Sequence, residues 1–271
     1  MRLGISSYTY VWAVGVPGYP APQPPLTAVE LLERAVRLGV RVVQIADNLP
    51  LDRLSGPERT ALIEQARQLD IALEVGTCGI CPAHLRRYLH LAREVGSDIV
   101  RVVADTEGHH PTPDEVVDAL RTVMPEFERA GVRLAIENHD RFRAAALHDI
   151  LERVGSEWAG ICLDTANSIG GLERVETLVE VLGSRVMNLH LKDYCIFRPP
   201  HRKGFVVEGR PAGKGQLDIP GLLAQLRALR RDPNVILELW PPPGPTIDES
   251  AAREAEWAEQ SIRYLRQFVP D

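Results

Sequence analysis

Short apolar runs alternate with longer amphipathic stretches eight times along the chain. The apolar runs, rich in Val, Ile and Leu, are RLGIS from Arg2, RVVQIAD from Arg41, IALEVGT from Ile71 and DIVRVV from Asp98. They continue with VRLAIE from Val132, AGICLD from Ala159, RVMNLH from Arg185 and NVILELW from Asn234. Their length and β-branched content predict buried strands. The stretches between them carry helix signals. PLTAVELLERAVRLG offers Thr27 as N-cap, Glu30 three residues on and Gly39 as the stop. SGPERTALIEQARQLD, CPAHLRRYLHLAREVG, TPDEVVDALRTVMPEFERAG and IPGLLAQLRALR follow the same plan, and DESAAREAEWAEQSIRYLRQF forms a long closing helix.

Eight strand-then-helix units in succession predict an α/β fold of the (β/α)₈ TIM-barrel type, as one domain over residues 1–271. An open doubly wound sheet usually shows a glycine-rich phosphate turn after its first strand, and SYTYVWAVGVPGYPAPQPP has none. Three segments exceed the repeat: this proline-rich loop, the stretch from Asp193 to Leu217, and PPPGP after the last strand.

A formal net charge of −6 argues against a nucleic-acid surface, which needs clustered cations. No run approaches the roughly 18 apolar residues of a membrane span, and MRLGISSYTY lacks a signal-peptide layout, so a cytoplasmic enzyme is expected. Cys78, Cys81, Cys162 and Cys195 do not form a disulfide framework. TCGICP is a C-x-x-C before a helix, but no second pair completes a zinc site, and a plain turn is the better reading.

In such a barrel the active site lies at the carboxyl ends of the strands. Strand five ends in Glu137, strand six in Asp164, strand seven in His190 and strand eight in Glu238. One carboxylate in such a place is often a cap or an ion-pair partner. Several at one low-dielectric mouth are costly without a cation. Three carboxylates and one imidazole suit Mn²⁺, Mg²⁺ or Co²⁺, with Zn²⁺ compatible.

AIENHD, CLDTAN, NLHLKD and ILELW resemble the metal-binding strand ends of the xylose isomerase-like TIM-barrel superfamily. This group holds sugar isomerases and epimerases and also 3-oxo-isoapionate decarboxylase. The resemblance implies that Glu137, Asp164, His190 and Glu238 bind one divalent metal, and that Glu137 and Glu238 double as proton carriers. Lys192 and Asp193 then orient His190 or touch substrate. A divalent ion chelated by a carbonyl and a neighbouring hydroxyl stabilises an enediolate. The leading expectation is therefore an isomerase or epimerase of a small keto-sugar; the alternative is a lyase that decarboxylates or dehydrates a sugar-derived keto acid. A nuclease of this fold is disfavoured by the acidic balance and the shortage of further ligands.

Two positions depart from the sugar epimerases of this group: Asn167 stands where a histidine is common, and Arg143 where a glutamate is. Asn167 remains a candidate substrate contact. Arg198, His201, Arg202, Lys203, Arg210 and Lys214 make the Asp193–Leu217 loop basic, so Arg198 and Arg202 are candidates to recruit an anionic substrate. That idea fails if Arg143, Arg198 and Arg202 all face solvent. Tyr8, Tyr10, Trp12 and Trp240 are placed to stack on a sugar face. Asp47, Asn48, Glu74, His109 and His110 are weaker candidates, and Asn138, His139 and Asp140 shape the loop beyond Glu137. A small carbohydrate is the expected partner; nucleic acid and membrane are not, and a homo-oligomer is left open.

Overall fold

The computed structural model describes residues 1–270. Eight strands pair in parallel around a closed barrel. They are β1 (Leu3–Ser6), β2 (Val42–Ile45), β3 (Ala72–Cys78), β4 (Ile99–Val103), β5 (Arg133–Glu137), β6 (Ala159–Asp164), β7 (Val186–Leu191) and β10 (Asn234–Leu237). Each falls on one of the eight apolar runs. β8 (Asp193–Phe197) and β9 (Val206–Arg210) form an antiparallel hairpin outside the barrel.

The helices around the barrel are α1 (Val11–Val14), α2 (Ala28–Leu38), α3 (Gly56–Gln68), α4 (Pro82–Val95), α5 (Pro113–Ala130), α6 (Ala144–Val154), α7 (Val175–Leu182), α8 (Ile219–Ala228) and α9 (Ile247–Leu265). The expected capping box closes on α2: Thr27 Oγ1 accepts the Glu30 N–H while the Glu30 carboxylate accepts the Thr27 N–H. Ser55 with Glu58 and Thr112 with Glu115 repeat it on α3 and α5. Gly39 stops α2 in the left-handed region at φ 69°, which other residues adopt at a cost. Leu31, Leu32 and Ala35 are fully buried on the inner face of α2.

Inside the barrel, side chains alternate, so residues two apart share the interior. Ile99, Ala135 and Cys162 pack together in a lower layer. Two residues on, Arg101, Glu137 and Asp164 stand at the level of the site, all buried. On β7 the same step leads from Asn188 to His190. A bulge between Ile161 and Cys162 skips Met187 in the pairing and brings Asp164 level with His190.

α1 owes its position to a residue on the far side of the sequence. Glu254 on α9 is fully buried, and its two carboxylate oxygens accept the Trp12 and Ala13 N–H groups at 2.8 and 2.7 Å. Burial pushes the Glu254 carboxyl up to about 8, against the pull of those two donors. Folded protein then binds one proton more than unfolded chain between about pH 4.5 and 8. This group's contribution to stability is present at the low end of that window and lost as pH rises through it. In urea unfolding, the stability of wild type relative to Glu254→Gln is expected to fall between pH 5 and pH 8; a flat difference would contradict the buried proton.

Candidate active site

The mouth of the barrel holds the four expected ligands together. His190 Nδ1 lies 3.4 Å from Glu137 Oε2, 3.4 Å from Glu238 Oε1 and 3.9 Å from Asp164 Oδ2, all four side chains being buried. Glu137 Oε2, Asp164 Oδ2, His190 Nδ1 and Glu238 Oε2 are engaged by ion pairs within the cluster and carry no hydrogen bond of regular geometry. Buried polar atoms almost always find such partners. Two overlapping groups that share His190, Glu137–Cys162–His190 and Asp164–His190–Glu238, bring their ligand atoms close enough together for a metal ion, and their oxygens with one imidazole nitrogen suit a divalent cation. Burial pushes the Cys162 thiol up to about 11, which keeps it protonated and a poor ligand.

The three expected carboxylate ligands are braced. Ser6 Oγ donates to Glu238 Oε1 at 2.8 Å. Asp164 Oδ1 accepts the Ala166 and Asn167 N–H groups. Asn138 joins the ends of β5 and β6, its Nδ2 donating to the Asp164 carbonyl and its Oδ1 accepting the Asp164 N–H. Asn167 Nδ2 donates to Glu137 Oε1 at 2.7 Å, so the residue that departs from the epimerase pattern sits directly on an expected ligand.

Two cations close the cluster. Lys192 Nζ bridges Asp164 Oδ2 and Glu238 Oε2 at 2.8 and 3.0 Å. Arg101 Nε lies 2.6 Å from Glu137 Oε2 and Arg101 Nη1 2.8 Å from Asp47 Oδ1. Burial pushes the Glu137 carboxyl up, but Arg101 and then His190 outweigh it and hold it well below the usual range. The same competition leaves Glu238 lowered, through His190 and Lys192. For Asp164 burial wins over Lys192, with help from Glu137 and Glu238, and its pKa is raised.

A cavity of about 610 Å³ opens above these groups, with Tyr8, Asp47, Arg101, Asn167 and Lys192 on its wall and His110, His139 and Asp140 toward its rim. It shares Tyr8, Asp47, Asn167 and Lys192 with an outer cavity of about 1040 Å³ walled by Trp12 and Trp240. Tyr8 Oη donates to Asp47 Oδ2 at 2.8 Å. Trp240 lies across β9 at Gly209, where an added Cβ would come within 2.5 Å of its ring.

Other expected residues stand elsewhere. Arg198 stacks on Phe205 at 4.4 Å near the tip of the β8–β9 hairpin, and Arg202 occupies the turn. Both are exposed, as is Arg143, and none lines either cavity. The basic segment is a paired hairpin, and its Val207 is the residue that reaches the outer cavity. Asp193 neither orients His190 nor faces substrate: its carboxylate collects the N–H groups of Tyr194, Gly213, Gly215 and Leu217 and ties down the chain after β9. Tyr10 is buried beneath Arg34, away from the mouth. Cys78 lines the inner cavity, where burial and Asp47 push its thiol up to about 12 and favour the protonated form. Sequence reasoning missed Arg101 and Gln44. Their signal was a single polar residue at an inward position of an apolar run, in DIVRVV and RVVQIAD.

Residues 32–268 match the model of the xylose isomerase-like TIM barrel. The chain belongs to this family. It is 34% identical over 267 residues to 3-oxo-isoapionate decarboxylase of Pectobacterium atrosepticum, covering 98% of this chain and 95% of that one. Among solved structures it resembles a D-psicose 3-epimerase determined in the presence of D-fructose, at TM-score 0.75 and 17% identity with all of both chains covered. An IOLI protein with a bound zinc atom superposes at TM-score 0.70 and 17% identity, again over both whole chains. No helix among the described residues is long and apolar enough to cross a membrane.

Proposed function

We propose that this chain is a divalent-metal-dependent carboxy-lyase that removes CO₂ from a sugar-derived 3-oxo acid. The observation that carries the reading is the grip on Glu137. Arg101 takes one of its oxygens at 2.6 Å and Asn167 the other at 2.7 Å. An epimerase that works with two carboxylates needs each to take a proton from carbon, and a carboxylate held this way is a weak base. Decarboxylation needs no such base, because breaking the C–C bond to CO₂ leaves the electron pair behind. End-to-end likeness to a decarboxylase at 34% identity supports the same choice.

Glu137, Asp164, His190 and Glu238 would hold the metal, which when bound supplies a Lewis acid for the 3-oxo oxygen. The other steps belong to side chains of this protein. Arg101 and Lys192, each shared between two carboxylates, line the inner cavity, and Lys192, the more exposed of the two, is placed to meet the substrate carboxylate and to offset negative charge as it develops. Glu238, which no arginine contacts, faces the Lys192 ammonium through Oε2 at 3.0 Å and relays a proton from Lys192 to the carbon that loses CO₂. Tyr8 and Trp240 flank the path of the sugar portion.

Isomerisation or epimerisation is the second reading, favoured by Glu137 and Glu238 converging on one histidine from two strands. Reaction in D₂O separates them. With 3-oxo acids of four- to six-carbon sugars, stoichiometric CO₂ and one deuterium on the carbon that lost it are expected. Deuterium entering recovered keto-sugar with no CO₂ released from any such acid would give the chain to the second reading.

A further inference from the structure

Below the ligands, the barrel interior is polar where branched apolar side chains usually fill it. Glu74 on β3 is buried there at 3% exposure with three amide donors around it. Gln44 Nε2 and Asn188 Nδ2 reach its Oε2 at 3.0 and 2.8 Å, and Asn234 Nδ2 reaches its Oε1 at 2.7 Å. Gln44 turns its other end, Oε1, to His190 Nε2 at 2.8 Å.

The geometry points to Glu74 as a positioning residue that fixes, through Gln44, which nitrogen of His190 faces the metal site. This rests on the metal-site reading above. Three side-chain donors converge on the two Glu74 oxygens, so the carboxylate acts as acceptor throughout and each amide around it presents its NH₂ group. That removes the usual ambiguity of an amide flip. Gln44 then has only its carbonyl oxygen left for His190, and Nε2 must carry the proton. In the neutral imidazole that a metal requires, the lone pair is then on Nδ1, the atom ringed by Glu137, Asp164 and Glu238. Asn188 obeys the same order: its Oδ1 accepts from Gln44 Nε2 at 3.3 Å and from the Cys162 thiol at 3.6 Å. The relay therefore runs from β3 through β2 to β7, and its far end is two hydrogen bonds from the ligand. Groups that orient a ligating histidine are worth about 10–100-fold in metal affinity.

The test is direct titration with Co²⁺ alone, followed by its visible absorption. In Glu74→Gln the new NH₂ group faces one of the three amide donors. Gln44 can relieve that clash by flipping, which turns its own NH₂ toward His190 Nε2. Co²⁺ affinity is expected to drop at least about tenfold while far-UV dichroism and the metal-free melting curve stay close to wild type. The double variant Gln44→Glu, Glu74→Gln puts the carboxylate directly on His190 Nε2–H and is expected to recover most of the loss, which simple damage to the core would not do. A measurement on the unaltered protein stands beside the variants. In the ¹⁵N spectrum of the Zn²⁺-loaded form, the His190 proton is expected on Nε2. Glu74→Gln binding Co²⁺ within twofold of wild type, a double variant no better than the single, or metal on Nε2 each overturns the assignment. Failure of wild type to bind Co²⁺ at all is a different result, and removes the metal site itself.

Discussion

A Glu238→Gln variant is expected to fold, to bind Co²⁺ weakly and to lose about 10²–10³-fold in kcat. Gln keeps the size of the side chain and can still accept the Ser6 hydroxyl, so packing at the end of β10 is retained. What changes is charge and basicity. The amide removes one of the three anions around His190 Nδ1 and the proton carrier that faces Lys192. Stability sharpens the test. Three buried carboxylates repel one another, which a bound cation relieves, so metal is expected to raise the melting temperature of wild type by mass action. The variant starts with less repulsion and gains less from metal, so its thermal shift with Co²⁺ is expected to be smaller at every concentration. Wild-type turnover and an equal thermal shift in Glu238→Gln would remove Glu238 from the site.

The reason these candidate ligands are legible in the sequence is geometric. A parallel barrel puts all its carboxyl strand ends on one rim, so a polar residue that ends an apolar run has a predictable destination. Glu137, Asp164, His190 and Glu238 each follow such a run. The partners that hold them are not predictable in this way, because they come from across the barrel. Gln44 and His190 are 146 residues apart, and Glu74 and Asn234 are 160 apart. Arg101 was visible only as one charge within an apolar strand, a place where its ion-pair partners could not be guessed. Local signals failed in a parallel way. Helices α2, α3 and α5 announce themselves by a capping side chain, whereas α6 and α7 start at Arg143 and Arg174 with none. The β8–β9 hairpin reads as a charged loop, because its strands carry Asp, Glu and Arg and expose Val206 and Val207. It is stabilised by its own pairing and by Asp193, not by an apolar face on the core.

Arg101→Met is expected to cost about 3 kcal/mol of stability, because it strands the buried Glu137 and the partly buried Asp47, which share one guanidinium. Arg101 is 2% exposed, and its partners Glu137 and Asp47 have no other arginine or lysine in an ion pair. At about 2–4 °C per kcal/mol for a chain of this size, the melting temperature falls by roughly 10 °C. The pH dependence identifies the cause. In wild type, burial pushes the Asp47 carboxyl up, but Arg101 and the Tyr8 hydroxyl outweigh it and leave its pKa below the ordinary value. A lowered folded pKa contributes stability that is present above the unfolded value of about 3.9 and lost as pH falls through the folded one. Without Arg101, burial prevails and the folded pKa moves above the unfolded value. Asp47 then penalises folding increasingly as pH rises. The deficit of Arg101→Met relative to wild type is therefore expected to widen from about pH 4 to pH 7 in urea unfolding as Asp47 ionises, on top of the part due to Glu137, which wild type keeps to lower pH. Adding Asp47→Asn to the variant removes one stranded charge and is expected to recover part of the loss at pH 7 and little at pH 4. Arg101→Lys keeps the charge but not the fork that reaches two carboxylates, so it is expected to fall between wild type and Arg101→Met. A deficit independent of pH, or no recovery from Asp47→Asn, would mean that Arg101 acts by filling space. The grip on Glu137 would then lose its electrostatic meaning, and with it the argument that this carboxylate is too weak a base for epimerisation.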